Sequence, residues 1–215
     1  MTRTITGPWT FVRDLAGRRH QPVLVLPGLT ATDRSTSALR AHLRALGHPV
    51  HGWRLGRNEG PTAEIINGLD ARFRELSERY DQPIGLVGWS MGGVFAWALA
   101  GRDPELVRSV VTLGSPLRGL PGWVTPPPPS VPVTSIWSRW DSVVPERASM
   151  LKEGPGRENI EVRALHLTLG FDPVVTAVVD DRIAQPKQEW ARYRPPALVA
   201  ALLPRPQTRR KRAEA

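Results

Sequence analysis

Apolar residues recur along this chain in two patterns. Short unbroken runs, such as Val23-Leu24-Val25-Leu26 and Ile84-Gly85-Leu86-Val87, have the length and composition of strands buried on both faces. Between such runs, apolar positions fall three and four apart. Leu39, Leu43 and Leu46 are one example, and they mark a helix with a single buried stripe. In chain order the pattern predicts a strand over 22–26, a helix near 35–46, a strand over 49–53, a helix near 62–79, a strand over 84–88 and a helix over 91–101. Strands over 107–113, 131–137 and 159–164 follow, and then a helix near 172–184. This alternation implies an α/β fold, a mostly parallel central sheet with helices on both faces. A length of 215 residues suits one domain with a full core. We expect that single domain over 1–185 and a C-terminal extension over 186–215, with no internal repeat.

The candidate chemistry sits where one strand becomes a helix. Gly88-Trp89-Ser90-Met91-Gly92-Gly93 lies between the strand ending near 88 and the apolar helix Val94-Phe95-Ala96-Trp97-Ala98-Leu99. Alone, Gly-x-Ser-x-Gly also describes an ordinary glycine-rich turn. Between a strand and a helix it describes a nucleophile elbow. The chain must reverse sharply there, so the residues two before and two after the serine approach closely and tolerate no side chain. The helix start behind Ser90 favours negative charge developing at the site.

In this elbow type an acid and then a histidine follow the serine. Of the five histidines, His20, His42, His48, His51 and His166, only His166 does so. It comes just after the alternating strand 159–164. Asp141 follows the strand 131–137, and Val143 and Val144 can cover it. Glu146 reads instead as a helix first turn, Asp172 as an N-cap before Pro173, and Asp103 as part of a helix-to-strand connection. Asp141 is therefore the expected partner that orients His166. Pro27-Gly28-Leu29-Thr30 follows the strand 22–26. On its own it reads equally as a turn or as one side of an oxyanion hole, whose donors would be the backbone N–H groups of Leu29 and Met91.

Residues 22–185 resemble an α/β-hydrolase of the bacterial lipase and carboxylesterase kind. The resemblance rests on Leu26-Pro27-Gly28-Leu29, the elbow, Thr112-Leu113-Gly114-Ser115-Pro116, the loop Trp140-Asp141-Ser142-Val143-Val144-Pro145 and the His166 loop, in that order. It implies a minimal, lid-less α/β-hydrolase fold and a serine hydrolase that cleaves carboxylic esters through an acyl-enzyme, with Ser90, Asp141 and His166 as the triad and no cofactor. Two positions depart from the family: Pro27 stands where many members have His, and Trp89 where many have His or Tyr. Between the strands 107–113 and 131–137 only a Pro-rich connection intervenes, where relatives often insert a cap. Leu117, Leu120 and Trp123 on it, with Trp89, are candidate walls of an acyl pocket. The three connection residues read equally as a loop packed on the core.

Composition narrows the alternatives. The chain has no cysteine, which excludes disulfides, a Cys nucleophile and Cys-based metal sites. No histidine cluster has metal-ligand spacing. The net charge of +9 is concentrated partly in Arg205, Arg209, Arg210, Lys211 and Arg212. That end lacks an apolar pattern and is expected to be disordered from about 204. It suits weak contact with an anionic surface, with no obligatory nucleic acid. The partner expected at the site is a small-molecule or lipid ester. Other acyl transfer, or a cofactor-free peroxidase-like reaction at the same triad, is the near alternative. Attachment to nucleic acid or membrane through the basic end, without catalysis, is the distant one. No segment approaches the ~20 apolar residues of a bilayer span, and residues 1–20 lack a leader's apolar centre, so a cytoplasmic location is expected.

Overall fold

The computed structural model describes residues 21–120, 124–128 and 130–204. Residues 1–20 and 205–215, with the expectations about a leader and a disordered basic end, lie outside the described residues, as does Trp123. Six strands form one parallel sheet: β1 (Val23–Leu26), β2 (Val50–Gly52), β3 (Ile84–Trp89), β4 (Val107–Leu113), β5 (Val133–Trp137) and β6 (Arg157–Glu161). Their spatial order is β2-β1-β3-β4-β5-β6. The helices are α1 (Ser37–Ala45), α2 (Ala63–Tyr80), α3 (Met91–Arg102), the single turn α4 (Glu146–Ser149), α5 (Pro173–Ala184) and the short α6 (Ala197–Leu202). The α/β class read from the hydrophobic pattern is the fold observed.

Both sheet faces are dry, which is why the strands read as continuous apolar runs. Leu24, Leu26, Ile84 and Leu86 point to one face, where Ile65, Leu69, Phe73 and Leu76 of α2 and Phe95 of α3 meet them. Val23, Val25, Val87 and Trp89 point to the other, against Leu39 and Leu43 of α1 and Val175, Val178, Val179 and Ile183 of α5. Local chemistry fixes the helix ends. Thr62 accepts a hydrogen bond from the Ile65 N–H at 3.2 Å and starts α2. Asp172 accepts from Val174 and Val175, with Pro173 in the first turn of α5.

The strand expected over 159–164 is instead Arg157–Glu161. Ile160, Val162 and Ala164 are all buried, so the alternation continues past the last paired residue. The Val162 N–H still reaches the Trp137 carbonyl, at 2.9 Å, and the chain then leaves the ladder. Alternation reports burial, and here burial outlasts pairing.

Both sheet edges are covered. On the open side of β2, the Arg44 guanidinium donates twice to the Val50 carbonyl, at 3.1 and 2.7 Å, and Arg72 Nε donates to the Gly52 carbonyl at 3.3 Å. Beside β6, the buried Arg182 guanidinium pairs with Glu158 at 3.1 Å and donates to the Ala191 carbonyl at 2.8 Å. Glu158 also accepts the Tyr193 N–H. Residues 186–204 are thus tied to the body beside β6, and Tyr193 and Leu203 pack on the second core face.

The sheet order also locates a crevice. From β1 the chain moves outward to β2 and then returns past β1 to β3. Connections leaving β1 and β3 therefore diverge to opposite faces and open a cleft at their carboxyl ends. Gly28 and Ser90 lie at that point.

Candidate active site

Ser90 sits at the turn between β3 and α3 with φ 54° and ψ −120°. A non-glycine residue pays strain to hold this conformation, of order 1–3 kcal/mol. Neighbouring glycines make it attainable. A Cβ on Gly88 would collide with the Gly92 and Gly93 backbone, and one on Gly92 with the Leu26 and Pro27 carbonyls. A Cβ on Gly93 would enter the space of Ser115 and Thr112 on the β4 side. The Ser90 N–H is held by the Leu113 carbonyl at 2.8 Å. The serine thus presents its side chain at the carboxyl edge, at the start of α3, whose first amides favour negative charge.

Asp141 and His166 arrive from the ends of β5 and β6. Asp141 Oδ1 accepts the N–H groups of Val143 and Val144, at 2.9 and 2.8 Å. Its Oδ2 lies 2.7 Å from His166 Nδ1. An acceptor-only carboxylate at that distance assigns the ring proton to Nδ1 and leaves Nε2 as the basic nitrogen. Both residues are buried. His166 opens a 3-10 turn over His166–Thr168, closed by Thr168 Oγ1 bonded to the Leu165 backbone. The competing carboxylates are occupied elsewhere: Asp172 caps α5, Asp103 pairs with Arg102, and Glu146 starts α4.

Two residues support the pair in ways that the motifs containing them did not reveal. Gly114, at φ 53°, passes directly over the acid–histidine pair. A Cβ there would lie 2.7 Å from Asp141 Oδ2 and 3.2 Å from His166 Nδ1. Trp89, beside the serine, donates its ring N–H to the His166 carbonyl at 3.1 Å, and its ring faces the Cα of Gly170. A glycine after a strand end and a tryptophan in an elbow each read as local features. Their partners lie far along the chain.

Three of the four residues named as pocket candidates are described. Trp89 is buried in the core on the α1–α5 face, beneath the histidine turn. Leu117 is buried, and Leu120 half-buried, against the α2–α3 face. Trp89 and these leucines therefore pack on opposite faces of the sheet. Leu29, Trp140, Val143, Leu165, Leu167 and Phe171 are all exposed on the three loops that carry Gly28, Asp141 and His166.

The Gly28 Cα lies against the serine: a Cβ there would be 3.3 Å from Ser90 Cβ and 4.0 Å from its Oγ. Gly28 to Ala31 form a turn closed by the Ala31 N–H on the Gly28 carbonyl at 3.1 Å, with Thr30 at φ 61°. The Thr30 N–H is bonded to the Asn58 carbonyl at 2.7 Å. Among the described residues, the Leu29 N–H makes no such bond.

Comparison with known proteins agrees with this geometry. The family model described as alpha/beta hydrolase fold matches residues 58–162. A triacylglycerol lipase of Burkholderia plantarii is 26% identical over 122 residues, which are 53% of this chain and 34% of that protein. The chain therefore spans about a third of the length of that curated relative. Among solved structures, a pyrethroid hydrolase from Sphingobium faniae superposes with a TM-score of 0.62 at 15% identity, covering 79% of this chain and all of that one. A metagenome-derived lipolytic enzyme, from work on LipS and LipT, gives 0.57 at 19% identity, over 77% and 92% of the two chains. With its parallel sheet, its left-handed serine at a strand-to-helix turn and the matched span, the chain has the fold of the α/β-hydrolases.

Proposed function

We propose that this protein is a serine hydrolase of carboxylic esters, with Ser90, His166 and Asp141 as its catalytic triad. The observation that carries this reading is the 2.7 Å contact between Asp141 Oδ2 and His166 Nδ1, in an edge crevice that also holds a serine in the left-handed region. His166 Nε2 takes the Ser90 Oγ proton as Oγ attacks the acyl carbonyl. The carbonyl electrons move onto oxygen, and the N–H groups of Leu29 and Met91 receive that oxyanion. Collapse breaks the ester C–O bond, and the imidazolium gives its proton to the departing alcohol. Water then loses a proton to Nε2 and attacks the acyl-serine. The acid leaves and Ser90 regains its proton. Asp141 stays ionised and stabilises the imidazolium throughout.

The exposed rim of Leu29, Trp140, Val143, Leu165, Leu167 and Phe171 favours an ester with apolar groups on the acyl side, the alcohol side or both. The names of the similar proteins, a triacylglycerol lipase and a pyrethroid hydrolase, support an ester of this kind. The test is labelling with a fluorophosphonate together with hydrolysis of a p-nitrophenyl ester series. The wild type should label once per chain. Ser90→Ala should not label, and its kcat should fall by about 10⁴ to 10⁶. A folded Ser90→Ala protein that still hydrolyses esters would overturn the assignment.

A further inference from the structure

We infer that Asn58 is a positioning residue that sets the oxyanion-binding amide of Leu29, although it lies in a different loop and is itself out of reach of solvent. The inference rests on the hydrolase reading of the Ser90 site.

Asn58 is completely buried, which is rare for an amide side chain unless its polar atoms are satisfied. Here they are satisfied largely by the turn after β1. Asn58 Nδ2 donates to the Pro27 carbonyl at 2.9 Å. Its own N–H donates to the Ala31 carbonyl at 2.8 Å, and its own carbonyl accepts the Thr30 N–H at 2.7 Å. Its Oδ1 accepts the Gly60 N–H at 3.0 Å, which curls the Asn58 loop into a local turn. Three hydrogen bonds thus pass from one residue to both ends of the 27–31 segment.

Their arrangement fixes the peptide planes on either side of the Gly28–Leu29 peptide, which carries the Leu29 N–H. The Asn58 carbonyl holds the Thr30 N–H, so the Leu29–Thr30 peptide cannot flip without losing that bond. Asn58 Nδ2 holds the Pro27 carbonyl, so the Pro27–Gly28 peptide is fixed as well. Between these two anchors, the Leu29 N–H is the amide left for a ligand. The restraint matters because Thr30 is held at φ 61°, a strained value for a β-branched residue. Without the Nδ2 bond, rotation of the Pro27–Gly28 peptide, eased by relaxation of Thr30, would swing the Leu29 amide away from the point a substrate oxyanion occupies.

Asn58→Ser separates this role from a merely structural one. Serine can still accept the Gly60 N–H and keep the local turn, but its short side chain cannot reach the Pro27 carbonyl. The loss should fall on the transition state. In p-nitrophenyl butyrate hydrolysis we expect kcat to drop roughly 10- to 100-fold with KM within about threefold, since removing an oxyanion donor outright costs about 10² to 10³. Rates are taken per competent site, counted by the burst of p-nitrophenol from diethyl p-nitrophenyl phosphate. Phenylboronic acid adds to Ser90 Oγ as a tetrahedral anion, so its Ki should rise by the same factor as kcat/KM falls. Ile84→Val, a small core truncation at the far end of β3, serves as a control for destabilisation and should keep the wild-type rate per site.

Asn58→Ser with wild-type kcat per site would overturn the inference, as would a loss accounted for by fewer competent sites. An unchanged boronate Ki beside a reduced kcat would also overturn it. A wild type that neither labels nor hydrolyses esters would instead overturn the hydrolase reading itself.

Discussion

Asp141 uses each carboxylate oxygen for a separate task. Oδ1 is held by two backbone N–H groups of its own loop, and Oδ2 faces His166. Asparagine can keep one of these arrangements but would present an amide N–H to one set of donors. Asp141→Asn should therefore lower kcat by roughly 10³ to 10⁴, while Glu146→Gln, on an exposed helix start, leaves it unchanged. Steady-state kinetics on matched, folded proteins decides between them, and greater damage from the glutamate change would refute the choice of acid. Gly114→Ala tests the same pair sterically. Its methyl would enter the acid–histidine contact, so activity should fall at least tenfold while Ser90 stays labelled on long exposure; unchanged turnover would show the contact to be dispensable. His51 offers a pH test away from the site. Its ring meets the Tyr80 hydroxyl at 2.8 Å, and burial, reinforced by Arg72, Arg79, Arg54 and Arg44, lowers its pKa from 6.5 to about 4. Between those values the unfolded chain binds the proton and the folded one does not. Stability is therefore lost as pH falls from about 6.5 toward 4. His51→Gln removes that linkage, and its Tm should fall less steeply over this window; parallel Tm curves would refute the linkage.

At the level of elements, the buried Glu158–Arg182 pair joins β6 to α5 and to the segment that follows it. Removing one partner leaves a buried charge, which typically costs about 3–5 kcal/mol. Glu158→Ala should therefore lower Tm by roughly 10 °C and speed hydrogen exchange at the Tyr193 amide, with little change in kcat. A shift of only a degree or two would show that Asp181, which already pairs with Arg182, or water compensates for the lost partner. This docking was not legible from the sequence, because residues 186–204 carry no sustained apolar period and their anchors, Glu158 and Arg182, lie outside the segment. The strands and helices were legible, since two dry sheet faces impose apolar runs that a half-buried sheet would not. The elbow could be read because Gly88 is demanded by the Gly92 and Gly93 backbone inside one six-residue motif, although Gly92 and Gly93 also answer to Leu26, Pro27, Thr112 and Ser115 far along the chain. Asn58, Gly114 and the Trp89 hydrogen bond could not, because each acts on a residue at least 25 positions away and leaves no local pattern.

At the scale of the whole molecule, the proposed chemistry gathers on one edge of the sheet. The triad candidates, Gly28 and the apolar rim all belong to loops at the carboxyl ends of the strands. The strongly basic residues 205–215 lie past the last packed segment. Deleting them should leave kcat/KM for a neutral ester within about twofold, since exposed charges are screened beyond ~8–10 Å at physiological salt. A large loss in an esterase assay of the truncated chain would show that this end reaches the site. Affinity for anionic vesicles, measured across a salt series, should fall on truncation; equal binding by both forms would remove its electrostatic role. The arginines along β2 carry a different consequence. A sheet margin usually displays free carbonyls that a strand from another molecule can adopt as hydrogen-bond acceptors, the first step of edge-to-edge aggregation. Here Arg44 and Arg72 already occupy those carbonyls, and an incoming strand would have to displace guanidinium groups that are charged at every physiological pH. The side of the sheet nearest the crevice is thereby closed to templated growth by the protein's own cations, without a further strand to cover it.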